Sequence, residues 1–533
     1  MTNTCFLLSL PSFVLDYVEL SNVMLKGYLN NYKIKSHHFD LTIKFIEFVA
    51  IKKNNYKIIE LLNLFKNNND ILSLNNEFYK ELNFILYDMN IYWDKRNVIF
   101  KFFDYNSLKS LETSLNKYNN HIFNDFIDYV LEEILLDTNI DILVIPVNYE
   151  FQIIFALKIS EMFKIKFPDK KIILWGNYLT NIKENHNSII RSFSFIDAIV
   201  SYSYYEEILN MINYFRNNGY QLCNSIINIG NKIEVYNKIK IKFDYDNYVP
   251  CFDDIDLNSY LTKEYVIPLT ISHGCHYAKC KFCAHHYVYN SFSNLNIKKI
   301  YNEIFKLNMN QFNIIFLDEC IEVNQIKEMI KLLKKDSRDI KWIMETRFSD
   351  EYQSVEFVNE LYKSGCRMIS FGFESYDQKV LKSMNKGINI KLAKKVLEII
   401  YKSNIIVSST FMIGYPNEKI YQKLKTLFFL INFKYIDIFG IGFFKYVKNS
   451  PLCSVGKTNK EELRLVFNKP KKVDVLLLNF FYMFKKNKDF LSIRNSLKNR
   501  IEYIMIDICE FSINRKKEKN EKKRLFNFQK IQK

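Results

Sequence analysis

Residues 271–289, ISHGCHYAKCKFCAHHYVY, decide the reading of this chain. They follow a short apolar run and place Cys275, Cys280 and Cys283 close together in a segment that also holds Gly274. Three thiolates so spaced can hold three corners of an iron–sulfur cube and leave its fourth iron open for chemistry. A closed zinc site, and with it a protein that is not an enzyme, is the competing reading. Three thiolates and one of His276, His285 or His286 make a tetrahedron.

Working outward, the segment sits on the first of six strand-like runs, at 266–272, 313–318, 341–347, 368–374, 405–414 and 436–443. Each is separated from the next by a helix-length amphipathic stretch. In one of these Ile326, Met329, Ile330 and Leu333 fall on a single helical face. Six strand and helix units in succession predict an incomplete (β/α)6 barrel of the TIM type. The carboxyl ends of such strands carry the chemistry, and here they read HGC, LDE, ETR, FES and IGYP. Gly274, Gly365, Gly372, Gly387 and Gly414 all fall in this region, although the whole chain has only 12 glycines.

Upstream, residues 1–235 alternate strand (6–10, 34–39, 142–147, 171–175, 198–201) with helix, which predicts an open α/β layer of Rossmann type with its ligand crevice at the strand carboxyl ends. A largely helical stretch, about 42–136, reads as an insertion. Residues 236–262, with Pro250 and the acidic run CFDDIDLNSY, read as a linker, 263–450 as the barrel, and 451–533 as a helical C-terminal region with a basic tail.

The 10 cysteines are otherwise scattered, at Cys5, Cys223, Cys251, Cys320, Cys366, Cys453 and Cys509. Without a secretory leader, this predicts reduced thiols in the cytoplasm. No apolar run approaches the ~20 residues of a bilayer span. The net charge of +17 is spread over dispersed lysines in a composition rich in Lys, Asn, Ile, Tyr and Phe. It therefore reads as a solvated surface, not as a nucleic-acid footprint. Only the tail from Arg515 is locally dense in charge, and it is the one motive for an RNA-modifying activity.

The cysteine stretch, LDE, ETR, SFGFES followed by VLKSMNKG, and FMIGYP together resemble the radical S-adenosylmethionine (SAM) superfamily. More narrowly they resemble its members with an N-terminal cobalamin-binding domain, in which a Rossmann-like layer precedes a partial barrel. The connection from Pro250 to Tyr260 is similar to theirs. The resemblance implies that Cys275, Cys280 and Cys283 ligate a [4Fe-4S] cluster whose open iron binds S-adenosylmethionine. It places Phe282 beside the adenine, Asp318 and Glu319 at the methionine ammonium and Arg347 at its carboxylate. Glu374 and Ser375 would meet ribose or methionine, and Gly414 and Tyr415 would line the adenine end. Cobalamin would lie against Pro11, Ser12, Asn148, Gly176 and Asn177.

The cysteine spacing departs from the superfamily's commonest form by one extra residue, a longer form that the cobalamin-type members share. The first layer lacks Asp-x-His-x-x-Gly, and glycines usual in the family are replaced at Asn177 and in the stretch 204–207. Simpler roles stand beside these: Glu374 as an ion-pair partner of Arg347, Asp318 and Glu319 as caps of the next turn, Cys320 and Cys366 as small buried residues, although a thiol directly after LDE could face the site, and His285 and His286 as loop residues. The function implied is radical SAM chemistry, with cobalamin-dependent methyl transfer favoured over a cobalamin-independent modification of a peptide or RNA. The partners implied are a small-molecule or peptide substrate and an electron donor such as flavodoxin or ferredoxin.

Overall fold

In a computed structural model of the protein, the described residues are 4–486 apart from 13, 65–70, 88–90, 95–96, 101–103, 105, 118–121, 135–139, 203, 219–220, 231, 238–242, 263, 454–462 and 464–470. The expected basic tail and the last stretch of the C-terminal region lie outside them. The chain divides into two compact units, Met1–Arg338 with Tyr446–Asn468, and Asp339–Lys445 with Lys469–Lys533.

The first unit begins with β1 (Thr4–Ser9), α1 (Leu20–Asn31) and β2 (Ser36–Asp40). Helices α2 (Thr42–Lys52), α3 (Tyr56–Leu64) and α4 (Ile71–Tyr87), the hairpin β3 (Ile91–Asp94) and β4 (Asn97–Phe100), and helices α5 (Leu108–Lys117) and α6 (Ile122–Tyr129) follow. The layer resumes with β5 (Ile140–Pro146), α7 (Gln152–Lys166), β6 (Lys171–Trp175), α8 (Asn177–Asn181), α9 (His186–Ser192), β7 (Ala198–Val200) and α10 (Tyr205–Phe215). It closes with β8 (Asn224–Ile229) and β9 (Lys232–Asn237).

The sheet order is β2-β1-β5-β6-β7-β8-β9. Its first five strands are parallel, the doubly wound arrangement whose strand order reverses between β1 and β5. Strand β5, IDILVIP, is buried almost throughout, as parallel strands covered on both faces are. The antiparallel hairpin β8–β9 was not expected from the sequence. Its short apolar runs are broken by asparagines, and the turn uses the positive φ of Gly230 (+53°).

The segment expected as a linker packs on this layer. Val249, Cys251, Phe252, Leu257, Tyr260 and Leu261 are buried, the amide of Cys251 donates to the carbonyl of Val23, and Lys26 pairs with Asp254. Gly27 of α1 permits the contact, because a Cβ there would lie 1.9 Å from the Val249 carbonyl oxygen.

The same unit continues with β10 (Val266–Leu269), β11 (Ser272–His273), α11 (His285–Tyr289), β12 (Ser293–Asn294), α12 (Ile297–Phe305), β13 (Gln311–Phe316) and α13 (Val323–Leu333). Strands β10 and β13 are parallel, and β11 and β12 pair antiparallel so that the cysteine loop is closed at its base. Helix α13 buries Ile326, Met329, Ile330 and Leu333, the face expected from their spacing.

The second unit holds β14 (Asp339–Thr346), α14 (Val355–Lys363), β15 (Cys366–Glu374), α15 (Gln378–Ser383), α16 (Ile390–Lys402), β16 (Ile406–Ile413), α17 (Ile420–Asn432), β17 (Ile438–Phe443) and α18 (Lys472–Lys486). Its four strands are all parallel. Side-chain caps fix where the helices begin: Ser354 accepts from the amide of Phe357, Asp377 from Lys379 and Val380, and Asn389 from Lys391 and Leu392. Along the chain, the Rossmann-type layer is thus followed by six strands with intervening helices in the order of a partial barrel, two of them parallel in the first unit and four parallel in the second.

Gly27→Ala is expected to lower stability by about 2–3 kcal/mol through overpacking against backbone. Urea unfolding of the purified variant checks this. An unchanged midpoint would show that the 245–261 segment does not rest on α1.

A candidate iron–sulfur site on the cysteine loop

The loop hangs between two fixed ends. At its entry the Asp318 carboxylate, buried just beyond β13, accepts four hydrogen bonds, from Thr270 Oγ1 (3.0 Å), the amides of Ile271 (3.0 Å) and Ser272 (2.6 Å), and Ser272 Oγ (2.6 Å). Asp318 thereby bolts the end of β10 to the end of β13 and fixes where Gly274 begins the loop. Gly274 has φ +75°, and a Cβ there would stand 2.3 Å from the Ser291 carbonyl oxygen. At the exit, α11 follows Cys283 directly.

Along the loop, Cys275, Cys280 and Cys283 are partly exposed, and Phe282 beside the last of them is half-buried. Cys275 is pushed down to about 5 by a hydrogen bond from the buried Cys320 thiol, helped by the amides of Ala278 and Tyr277. Burial pushes Cys283 up to about 11, reinforced by the charges of Cys280, Glu319 and Cys275. The three sulfurs therefore feel one another. The amide of His285 reaches Cys283 Sγ at 3.4 Å, and Ala278 takes φ +44°, uncommon for a residue with a Cβ.

Two features of this site did not show in the sequence, the Glu319 contacts and an outer strap, and a third, Cys320, takes the site-facing role that its place after LDE left open. Glu319, expected at a ligand ammonium, binds His285 Nδ1 through one oxygen and accepts from Tyr289 Oη (3.1 Å) through the other. Cys320 is turned toward the loop. A strap formed by residues 446–453 clips it from outside: the amide of Leu452 donates to the Lys281 carbonyl (3.0 Å), Asn449 donates to the Asn181 carbonyl (2.7 Å), and Lys448 pairs with Glu184. None of these has a local motif, since each joins residues far apart in the chain.

At the carboxyl ends of the first layer, Ser12 is buried with its amide on Thr42 Oγ1 (3.2 Å), next to the buried Pro11. Asn148 accepts from the amide of Asn177 (3.0 Å) and donates to Ser21 Oγ (2.7 Å) and Glu19. Gly176, at φ +118°, lets the chain pass Val147 and Asn148, because a Cβ would come within 2.8 Å of Asn148 Oδ1. Trp175 Nε1 is buried here without a hydrogen-bond partner, and the buried Glu19 carboxyl lies against Gln152.

In the second unit, Glu374 ends β15 at φ +70° beside a register shift, a strained conformation for a residue with a Cβ. The pairing weighed between Glu374 and Arg347 is corrected by the structure. Glu374 Oε1 takes Lys386 Nζ (2.9 Å), and Arg347 donates to the Lys386 carbonyl. Lys386 thus gathers both residues, and Gly372 leaves room for the pair, as a Cβ there would lie 2.7 Å from Glu374 Oε1. Ser375 is buried, with Oγ 3.3 Å from Thr426 Oγ1. Gly414, at φ +88°, donates to Glu418 (2.7 Å), and Tyr415 donates to the Ser383 carbonyl (3.1 Å).

Residues 269–430 match the family model described as the radical SAM superfamily. That stretch is a radical SAM domain. The chain is 30% identical over 172 residues to bacteriochlorophyllide d C-12(1)-methyltransferase of Chlorobaculum tepidum, a match that covers 30% of this chain and 37% of the relative. It is 26% identical over 187 residues to the anaerobic magnesium-protoporphyrin IX monomethyl ester cyclase of Cereibacter sphaeroides, covering 33% and 30%. The chain therefore spans about a third of the length of these curated relatives.

Among solved structures, the cobalamin-dependent S-adenosylmethionine radical enzyme OxsB, with aqua-cobalamin and S-adenosylmethionine bound, superposes with a TM-score of 0.55 at 14% identity, over 86% of this chain and 54% of that one. The radical S-adenosylmethionine methyltransferase TsrM of Kitasatospora setae, with cobalamin and a [4Fe-4S] cluster, gives 0.54 at 11%, over 85% and 74%. The likeness extends across the Rossmann-type layer as well as the radical SAM domain, so the fold is that of cobalamin-binding radical SAM enzymes.

The donor set of the radical SAM domain fits a cluster. Among the described residues, no group of three His, Cys, Asp or Glu converges on a single metal ion. A cube, whose cysteines each meet a different iron, needs no such convergence. Sulfurs that accept amide hydrogen bonds, on a loop held at both ends, are suited to iron–sulfur ligation. The buried polar groups of Glu19 and Gln152 and the unpartnered Trp175 Nε1 at the strand ends suit a ligand with its own polar groups. Among the described residues, no helix is long and apolar enough to cross a membrane.

Burial raises Asp318 to about 6, against the lowering effect of its hydrogen bonds. A carboxyl whose folded value lies above its unfolded one binds more protons when folded, so its contribution to stability is largest in acid and declines as pH rises between about 4 and 6. Asp318→Asn removes that slope. Unfolding free energies of wild type and variant, measured from pH 4 to 7, are expected to differ in slope only within this window. Parallel curves would contradict the assignment.

Proposed function

We propose that the chain is a cobalamin-dependent radical SAM methyltransferase of the cytoplasm, acting on a small-molecule or peptide substrate with electrons from a flavodoxin- or ferredoxin-like donor. The observation that carries this reading is the bracketed loop: three interacting thiols, one of them strongly acidified, on a strand end bolted by Asp318. The relatives' names and the two-part fold support it.

In this reading Cys275, Cys280 and Cys283 hold the cluster, and Pro11, Ser12, Asn148, Gly176 and Asn177 border the corrinoid, with Glu19 and Gln152 beside them. When bound, these groups supply reductive cleavage of the sulfonium and a transferable methyl group. The protein's share is positioning. Asp318 fixes the loop, and the strap 446–453 covers its outer side. Glu319 orients the His285 imidazole by taking Nδ1–H, which leaves Nε2 to accept a proton. In the second unit, the Glu374–Lys386 pair and the Lys386 carbonyl hold Arg347, whose guanidinium would meet a carboxylate. Gly414 and Tyr415 shape the end of β16, with Phe282 and Ser375 as further ligand contacts.

Reconstitution without air, with iron, sulfide and hydroxocobalamin, is the test. The expected protein carries about four irons and four sulfides, retains a corrinoid through gel filtration, and releases 5'-deoxyadenosine once reduced. Cys280→Ala should abolish the cluster and the cleavage while the corrinoid stays bound. Cleavage retained in that variant would contradict the ligand assignment, and a wild type that loses its corrinoid on the column would contradict the methyl-transfer reading.

A further inference from the structure

The chemistry proposed above leaves unexplained a line of phenols that leads away from the cysteine loop. It starts at Tyr289, whose ring lies 6.0 Å from that of His285, two residues past Cys283. From Tyr289 the ring centroids step to His273 (5.2 Å), Tyr245 (5.3 Å), Tyr248 (5.2 Å), Tyr28 (5.4 Å) and Tyr32 (5.0 Å). His273 also lies 6.2 Å from Tyr248, and Tyr205 offers a parallel step, 4.5 Å from Tyr248 and 5.8 Å from Tyr28. Tyr28, Tyr248 and His273 are buried, whereas Tyr32 is 39% exposed. The line thus runs through the interior of the first unit and ends in water.

Ring proximity alone is common in a chain with 36 tyrosines. The hydrogen bonding is more specific. Tyr289 donates to Glu319 (3.1 Å), Tyr248 to Glu206 Oε2 (2.6 Å) and Tyr32 to Asp244 Oδ2 (2.5 Å), while Tyr28 bonds to the Tyr32 hydroxyl. Oxidising a phenol by one electron makes its proton strongly acidic, so the step is easy only where a base already holds that proton. Here the first, middle and last phenols each have a carboxylate in place, at distances typical of strong O–H···O bonds for two of the three. A structural role needs only some partner for a buried hydroxyl; it does not require that the partner be a base at each of these steps.

We propose that this line is a proton-coupled relay that carries one-electron oxidising equivalents from the cysteine loop to Tyr32, where they are quenched before they damage the site. The inference rests on the iron–sulfur reading, since an iron cluster is the source of such oxidants when peroxide meets it. At the loop, the oxidant takes one electron from Tyr289, and the phenolic proton moves to Glu319. Tyr248 then gives an electron to Tyr289 across His273 and Tyr245. Tyr289 recovers its proton from Glu319, and the proton of Tyr248 passes to Glu206. Tyr32 then gives an electron to Tyr248 across Tyr28, its proton passing to Asp244 while Tyr248 recovers its own from Glu206, and the neutral tyrosyl radical rests at Tyr32. A thiol in solution supplies the last electron and releases its own proton to water, Asp244 returns its proton to Tyr32, and two thiyl radicals join as a disulfide.

The test adds hydrogen peroxide to the reconstituted full chain, after its iron has been measured, in the presence of a nitroso spin trap and without thiol. Trapped tyrosines are then located by peptide mass spectrometry. In wild type the adduct is expected mainly on Tyr32. Tyr248→Phe should cut the Tyr32 adduct several-fold and raise oxidation of the 271–289 peptide by a similar factor. Tyr32→Phe, at an exposed position where folding is not at stake, should move the adduct inward to Tyr28 and Tyr248. Iron-loaded protein whose Tyr32 adduct is the same in wild type and Tyr248→Phe would overturn the relay alone, because solvent oxidant would then be reaching Tyr32 directly. Protein without iron would overturn the cluster reading and the relay together.

Discussion

One buried carboxylate sets the geometry on which the rest of the first unit depends. Asp318 accepts four hydrogen bonds from Thr270, Ile271 and Ser272, so two adjacent parallel strands end at one fixed point. The cysteine loop starts at Gly274, two residues beyond Ser272. Removing a buried acceptor would leave several donors unsatisfied, each at a cost of roughly 1–3 kcal/mol. The loop's conformation is therefore set by the sheet and not by the loop itself. That matters for metal chemistry, because ligands held before the metal arrives have less entropy to lose and less freedom to adopt a tetrahedral alternative.

The surroundings of the loop show the same economy of placement. His285 and Tyr289, on the short helix that leaves the loop, both meet Glu319, which follows Asp318 directly. Two neighbouring acids thus perform different tasks, one burying itself in backbone amides and the other facing the loop's side chains. The strap 446–453 and Lys183, whose ammonium lies over the rings of Tyr202 and Tyr287, join the Rossmann-type layer to the loop's outer side. Strained backbone occurs within each unit. Ala278 in the loop, Tyr202 past β7 and Glu374 at the end of β15 all take positive φ, in keeping with the tendency of such conformations to persist where surrounding structure fixes them for function.

Much of the fold was legible because its signals are local. Apolar runs such as IDILVIP and FNIIF, and the spacing of Ile326, Met329, Ile330 and Leu333, are written in consecutive residues, and the parallel order follows from their alternation with helices. The three cysteines were legible for the same reason. What escaped depends on contacts across the chain. Glu374 could be paired with Arg347 on paper because both end strands, but only the folded VLKSMNKG turn brings Lys386 between them. The strap, the Cys320 contact with Cys275 and the Glu319–His285 bond join segments tens to hundreds of residues apart and carry no pattern of their own. The 236–262 stretch looked like a linker because its apolar residues lack a period. Its burial rests instead on Gly27, whose missing Cβ cannot be recognised as a contact until α1 and Val249 are seen together.

The central claim is that three cysteines leave one iron of a cube free for S-adenosylmethionine. Mössbauer spectroscopy of protein reconstituted with 57Fe tests it most directly. One iron site of the four is expected to change its isomer shift and quadrupole splitting when S-adenosylmethionine is added, while the other three stay fixed. Four sites that all ignore the addition, or a spectrum without a cluster, would contradict it.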